Sequence, residues 1–219
     1  MNHQSPWTRR QMLRGCAAIA SGLAAGCGPA REVSSHEAAS VPLFNGHDLT
    51  GWEGDTLLWL VENGIIVGRS PGISYNDFLV TTESFADFVL RLQVQLVDNV
   101  GNSGIQFRSE RVSGSMEMIG YQADIGEQYW ASLYDESRRR ETLAAPDSAL
   151  LERILRPGDW NDYEIHANGP RMQLKLNGET TVDYTESESD IAFSGRIGLQ
   201  IHSGPAMEVR FRNIEIQEL

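Results

Sequence analysis

From Val41 onward, apolar residues recur mainly at every second position, which puts them on one face of extended chain and predicts strands. The longest run is Phe88 to Val97, with Phe88, Leu90, Leu92, Val94 and Leu96 on one face and Arg91, Gln93 and Gln95 on the other. Asn-Gly pairs at 45-46, 63-64, 168-169 and 177-178 punctuate the pattern, and Asn-Gly accepts the positive φ of tight hairpins. Leu57 to Val61 and Ile65 to Arg69 therefore make a first hairpin, followed by a short strand at Phe78 to Thr81. Further strands are predicted at Gly104 to Arg108, Tyr121 to Ile125, Ala131 to Tyr134, Tyr163 to Ala167, Arg171 to Leu176, Thr180 to Tyr184, Arg196 to His202 and Glu208 to Gln217. The Asn177-Gly178 hairpin gives no clean inside-outside register, so its pairing stays open. So many short strands need two stacked sheets, and the fold class is all-β: a two-sheet antiparallel sandwich. One short covering helix is expected at Asp147 to Leu155, where Pro146 and Asp147 signal a start and Leu150, Leu151, Ile154 and Leu155 form a stripe.

Strand parity also sorts polar residues. Gln106 and Arg108 alternate with Ile105 and Phe107, Gln122 and Asp124 with Tyr121, Ala123 and Ile125, and Gln200 and His202 with Leu199 and Ile201. If these strands share a sheet with Phe88 to Val97, then Arg91, Gln93, Gln95, Gln106, Arg108, Gln122, Asp124, Gln200 and His202 line its other side. Gln, Arg, Asp and His offer several directed hydrogen bonds each, which suits a polyhydroxylated ligand; a merely solvated sheet face is the bland alternative. Tyr129, Trp130, Tyr134 and Trp160 could stack on sugar rings around this face, and Asn102-Ser103-Gly104 brings small and amide groups to its mouth. Asp135 to Arg140 reads as a charged loop, in which Glu136 is a candidate acid or base and one arginine a clamp for a substrate oxygen.

Charge narrows the partners. The chain carries 18 Lys and Arg against 30 Asp and Glu, and Arg9, Arg10 and Arg14 are the only charges in residues 1–27, so the remainder stands at −15. Such a surface repels phosphate backbones and anionic headgroups, which argues against nucleic-acid binding and polybasic membrane docking. Lys175 is the only lysine and sits in an alternating strand, a poor place for Schiff-base chemistry; Cys16 and Cys27 both precede the domain, which leaves it without a disulfide, a thiolate metal site or a cysteine nucleophile.

The first 27 residues read as an address. Thr8-Arg9-Arg10-Gln11-Met12-Leu13-Arg14 before the modestly apolar run Gly15 to Gly26 resembles a twin-arginine export signal, and Leu23-Ala24-Ala25-Gly26-Cys27 resembles a lipobox with Cys27 as the lipidated residue. The run is too short to span a bilayer, so the expectation is a lipid anchor alone, on the periplasmic side of the inner or outer membrane. Residues 28–40 read as a flexible tether and 41–219 as the domain.

Several blocks together resemble the 3-keto-disaccharide hydrolase family, formerly a domain of unknown function. They are Leu43-Phe44-Asn45-Gly46 with Leu49-Thr50-Gly51-Trp52, Asn102-Ser103-Gly104-Ile105 through Arg108, Gly120-Tyr121-Gln122-Ala123-Asp124-Ile125, Gly195-Arg196-Ile197-Gly198-Leu199-Gln200, and Phe211-Arg212-Asn213-Ile214. The resemblance implies a concanavalin-like jelly roll acting on glycosides that a separate sugar 3-oxidoreductase has oxidised to the 3-ketone. A ketone at C3 acidifies the hydrogen on C2, so a base can remove it, the enolate expels the group on C1, and water addition completes a net hydrolysis. Such a site needs a base, an acid, and donors or a divalent metal for the enolate oxygen. Asp124 or Glu136 is the expected base, Arg108 with Gln106 and Gln122 the expected oxygen donors, and His202 the expected acid or metal ligand. Asn102, Tyr134 and Trp130 are expected to contact the sugar. Many family members carry an acid after the tyrosine of the Gly-Tyr block where this chain has Gln122; Asp124 retains the acid of that block. The same fold would also suit a carbohydrate-binding lipoprotein without chemistry, or a structural lipoprotein of the envelope.

Overall fold

A computed structural model describes residues 39–126 and 128–219; the twin-arginine segment, Cys27 and the tether as far as residue 38 lie outside the described residues. In chain order the strands are β1 (Val41–Pro42), β2 (Trp52–Glu53), β3 (Trp59–Glu62), β4 (Ile65–Ser70), β5 (Asp77–Phe85), β6 (Phe88–Leu96), β7 (Ser103–Arg111), β8 (Met118–Ile125), β9 (Leu133–Glu136), β10 (Thr142–Ala144), β11 (Asn161–Asn168), β12 (Arg171–Leu176), β13 (Glu179–Thr185), β14 (Gly195–Ile201) and β15 (Met207–Glu218). They form two antiparallel sheets, as the alternation predicts. One has the order β13-β12-β11-β6-β15-β4-β3 with β1 added on β15; the other has the order β10-β9-β8-β7-β14-β5-β2.

The apolar faces of the two sheets meet in one core. Phe88, Leu90, Leu92, Val94 and Leu96 of β6 are buried against Ile105 and Phe107 of β7, Tyr121 and Ala123 of β8, and Ile197, Leu199 and Ile201 of β14. Aromatic edges lock the two layers: the Phe88 ring stands at 87° to Phe107, which in turn stacks on Tyr121 at 5.8 Å. Helix α1 (Ser148–Ile154) takes Asp147 as its N-cap, with the carboxylate accepting from the Ala149 and Leu150 N–H groups, and lays Leu151 and Ile154 on the core. Asn63 and Asn177 adopt positive φ ahead of Gly64 and Gly178, the turn geometry expected of two Asn-Gly hairpins. A register shift between Leu174 and Lys175 accounts for the pairing of β12 with β13 that parity leaves open.

One expectation fails at this level. β6 pairs with β11 and β15, whereas β7, β8 and β14 lie together in the other sheet. Arg91, Gln93 and Gln95 therefore face outward on the far side of the sandwich from Gln106, Gln122 and Gln200. Alternation along a strand tells which residues share its face; which sheet the strand joins is decided by pairing across long stretches of chain.

Candidate active site

The polar face of the seven-stranded sheet survives the loss of β6. At one end of this sheet the start of β5, the end of β14, the start of β7 and the end of β8 lie side by side, and β9 and β10 continue the row. Asn76, Asn102, Gln122, Asp124, Tyr129, Tyr134, Glu136, Thr142 and His202 line a cleft there of about 370 Å³. Register explains the grouping: Gln122 is paired with Tyr134 and Gly120 with Glu136, so Tyr134 and Glu136 of β9 project to the same side as Gln122 and Asp124 of β8. Asp124, Glu136 and His202, the three expected chemical residues, come together in this cleft, with Asn102 and Tyr134 of the expected sugar contacts and Gln122 of the expected oxygen donors.

Asp124 sits on the cleft floor, 5% exposed. Burial pushes its carboxyl up to about 7, the nearby Glu136 adds to the rise, and a hydrogen bond from Gln122 opposes it. Glu136 is also raised, by burial and by Glu117, with the charge of His202 pulling the other way. The Tyr134 hydroxyl is held protonated above its ordinary range by burial and by Glu136 and Asp124. His202 follows β14, its backbone N–H bonded to the Asn102 carbonyl at 3.2 Å. Its Nδ1 lies 2.7 Å from the Ser203 carbonyl, which can only accept, so Nδ1 carries a proton and Nε2 is the nitrogen left for chemistry. Asn76 ties this corner down, accepting from the Ser203 N–H at 2.9 Å and donating to Glu117 at 3.2 Å.

Two glycines make the floor possible. A Cβ on Gly104 would lie 2.4 Å from Gln122 Cδ, and one on Gly198 would lie 3.3 Å from Gln106 Cβ, so both glutamines occupy space that side chains on the neighbouring strands would fill. Gln106 donates to Gln122 Oε1 at 2.8 Å, and Gln122 donates to Asp124 Oδ1 at 2.8 Å.

Several expected residues lie elsewhere. Arg108 is not a cleft residue: it takes φ +49° at a break in the β7–β8 register, which turns its side chain away from the polar face. Its guanidinium is fully buried against the carbonyls of Ala86 and Gly169 and the Asp87 carboxylate. Gln106 is completely buried beneath the cleft lining and serves Gln122 instead of a ligand. Gln200 is likewise buried, and its amide has no partner among the described residues. Trp130 is core, its indole N–H donating to Asn99, and Trp160 lies under the Arg212 guanidinium on the other sheet. Glu136 ends a strand, not a loop, while Asp135 beside it turns inward to Arg138 and Arg139. Arg139 also binds Glu186, so Arg138 and Arg139 are engaged within the protein, and of the three arginines of this segment Arg140 is the one whose charge acts on Glu136. Asn76 and Thr142 were not legible as site residues; each lies next to or within a short stretch without strong alternation, and only folding brings it to the cleft.

Among the described residues no three His, Cys, Asp or Glu side chains are grouped closely enough to hold a metal ion, so His202 has no ready-made metal cage around it. A larger hollow of about 500 Å³ lies on the outer face of the eight-stranded sheet. Its side chains are spent on one another, Glu164 with both Arg91 and Lys175, and Gln93 with Asp162. The smaller cleft is the better candidate because its polar groups converge with raised carboxyls and few internal partners.

The family model described as 3-keto-alpha-glucoside-1,2-lyase-like domain matches residues 39–217, nearly the whole of the described chain. The chain belongs to this family. No curated protein sequence matches it. Among solved structures it is similar to a "putative glycosyl hydrolase" from Parabacteroides distasonis, at 21% identity and a TM-score of 0.63, covering 82% of this chain and 94% of that one. It is also similar to the carbohydrate-binding module CBM66 from Bacillus subtilis, at 18% identity and TM-score 0.61, covering 77% and 96%. A Bacillus subtilis protein of unknown function with a galectin-like fold is similar at 12% identity and TM-score 0.63, covering 82% and 94%. At these identities the likenesses establish the jelly-roll sandwich of this 3-keto-alpha-glucoside-1,2-lyase-like domain and no more than the fold.

Proposed function

We propose that this chain cleaves 3-keto-glycosides by elimination across C1 and C2, with Asp124 as the base. The observation that carries the reading is a buried carboxylate, pushed up to about 7 by that burial, on the floor of a cleft that also gathers Glu136 and His202 from separate segments. Asp124 takes the proton from C2, and the C–H electron pair forms a double bond to C3 as the ketone oxygen becomes an enolate. Tyr134 and Asn102 are the neutral donors suited to that oxygen. The enolate then reforms the ketone, the double bond moves to C1–C2, and the C1–O bond breaks. His202 supplies a proton from Nε2 to the departing oxygen. Water added across C1–C2, hydroxyl to C1 and hydrogen to C2, gives the free 3-keto sugar and completes a net hydrolysis. Tyrosine is suited to stacking on a sugar face, and Tyr129 stands 40% exposed at the cleft rim.

The substrate must come from an oxidoreductase that converts the 3-hydroxyl to a ketone. The sequence motifs around Arg9-Arg10 and Cys27 support export and lipid anchoring, which would place this step in the cell envelope. The test is incubation of the full-length chain with a 3-keto-glucoside and with its unoxidised parent. Release of the alcohol from the keto form alone supports the lyase reading. Saturable binding of either sugar without turnover, with and without added divalent metal, overturns it in favour of a binding module.

A further inference from the structure

Asp124 does not stand alone on the cleft floor; it ends a line of buried side chains that crosses the sheet. The Ser109 hydroxyl lies 2.7 Å from Gln106 Oε1, Gln106 Nε2 lies 2.8 Å from Gln122 Oε1, and Gln122 Nε2 lies 2.8 Å from Asp124 Oδ1. Ser109, Gln106 and Gln122 are all at most 3% exposed. The direction of this line is forced by chemistry. An ionised carboxylate only accepts, so Gln122 must present its NH2 to Asp124 and its carbonyl to Gln106. Gln106 must then present its NH2 to Gln122, which leaves its carbonyl for the Ser109 hydroxyl. Each donor is polarised by the one behind it, in a site without water between the members.

We propose that Gln122 and Gln106 are positioning residues for the base, an inference that rests on reading Asp124 as that base: they occupy Oδ1 and leave Oδ2 as the oxygen that meets the substrate proton. Three features of the geometry support this. Oδ1 is committed to Gln122, whereas Oδ2 has no hydrogen-bond partner among the described residues, and Asp124 keeps its remaining exposure toward the cleft it lines. The main chain of Asp124 is fixed on both sides, its N–H to the Ser132 carbonyl and its carbonyl to the Ala131 N–H, both at 2.9 Å. Behind it, the buried Tyr163 of β11 approaches the same carbonyl at 3.4 Å, closing the core side. The carboxylate thus has one orientation and one free oxygen.

The line also lowers the proton affinity that burial gives Asp124. The groups facing this carboxyl are Gln122 on its own strand, Tyr134 and Glu136 from β9, His202 after β14, and Tyr163 from the opposite sheet. Burial and Glu136 favour the protonated form, and the Gln122 N–H is the group that favours the charge. Without Gln122 the carboxyl would be protonated over most of the neutral range and free to rotate.

The test is a carboxyl-carbon NMR titration of Asp124 in the full-length protein beside Gln122→Leu and Gln106→Leu, with near-ultraviolet circular dichroism to confirm the fold. Gln122→Leu is expected to raise the Asp124 midpoint by about one pH unit, and Gln106→Leu to raise it by less because it acts through Gln122. With a 3-keto-glucoside, kcat is expected to fall about 10- to 100-fold in Gln122→Leu, with KM within about threefold and the acid limb of the pH profile moved upward. An Asp124 midpoint that stays put in both folded variants overturns the proposal, whatever the activity. Because the titration needs no turnover, it is separable from the lyase reading. If Asp124→Asn retains full activity while Gln122→Leu still moves the midpoint, the base assignment is lost and the positioning of the carboxylate stands.

Discussion

Arg108 donates from Nη2 to Asp87 Oδ1 at 2.7 Å, in a site where the guanidinium is fully buried and the carboxylate is 38% exposed. With the carbonyls of Ala86 and Gly169 as its other acceptors, this arginine joins the β5–β6 turn, the β7–β8 hairpin and the β11–β12 turn at the end of the sandwich. Removing it would leave two carbonyls and the half-exposed Asp87 carboxylate without their donor and empty a buried site. Arg108→Met is therefore expected to cost about 2–4 kcal/mol in urea unfolding and to leave kcat per folded molecule unchanged. A variant of wild-type stability that has lost turnover would return Arg108 to the site.

Asp124 should make the protein less stable as pH rises. Its ordinary value is 3.8 and its folded value about 7. Between these the folded chain holds more protons at this position than the unfolded chain, so stability falls with pH across that window and levels above it. Asp124→Asn keeps an acceptor for Gln122 and removes the penalty. Relative to wild type it should gain on the order of 2–4 kcal/mol between about pH 4 and pH 8. Urea midpoints at a series of pH values measure the difference, and a constant offset across the window would show that the carboxyl is not raised by burial.

The rate should have the opposite pH dependence to the stability. A base must be ionised, so kcat/KM with a 3-keto-glucoside is expected to rise about tenfold per pH unit below about 7 and to flatten above it. Glu136 contributes to the raised value of Asp124, so Glu136→Gln should move this acid limb to lower pH and leave its slope intact. An acid limb that disappears in Glu136→Gln would exchange the roles of the two carboxylates.

Gly104→Ala tests the floor without touching a polar group. The new methyl would meet Gln122 Cδ at 2.4 Å, so Gln122 must leave its place between Gln106 and Asp124. The expected result is a stability loss of about 1–3 kcal/mol from overpacking, together with loss of most turnover. Wild-type activity in a folded Gly104→Ala protein would show that the flat lie of Gln122 is dispensable.

Much of the site was legible before folding. Gln122, Asp124 and His202 share strand faces because parity has a period of two, and parity is a property of the chain itself. Glu136 was visible as a charged candidate, although as part of a loop; its place on β9 depends on pairing with β8. Arg108 and Trp130 were misplaced for two different reasons. A register break with positive φ inverts the side of Arg108, and no pattern of hydrophobicity announces it. Trp130 is as compatible with a sugar platform as with a core position until its neighbours are known, and those neighbours come from distant segments such as Asn99.

What the amino-acid order determined is local. Alternating apolar residues demanded strands, Asn-Gly pairs placed two of the turns, Asp147 began the helix, and the surplus of acids set the character of the surface. Only tertiary structure decided which strands share a sheet, and so which polar face became the cleft and which became an outer wall of paired charges. It also decided the proton affinity of Asp124, because a carboxyl's preference for its charge depends on water being excluded by residues that the chain brings from elsewhere.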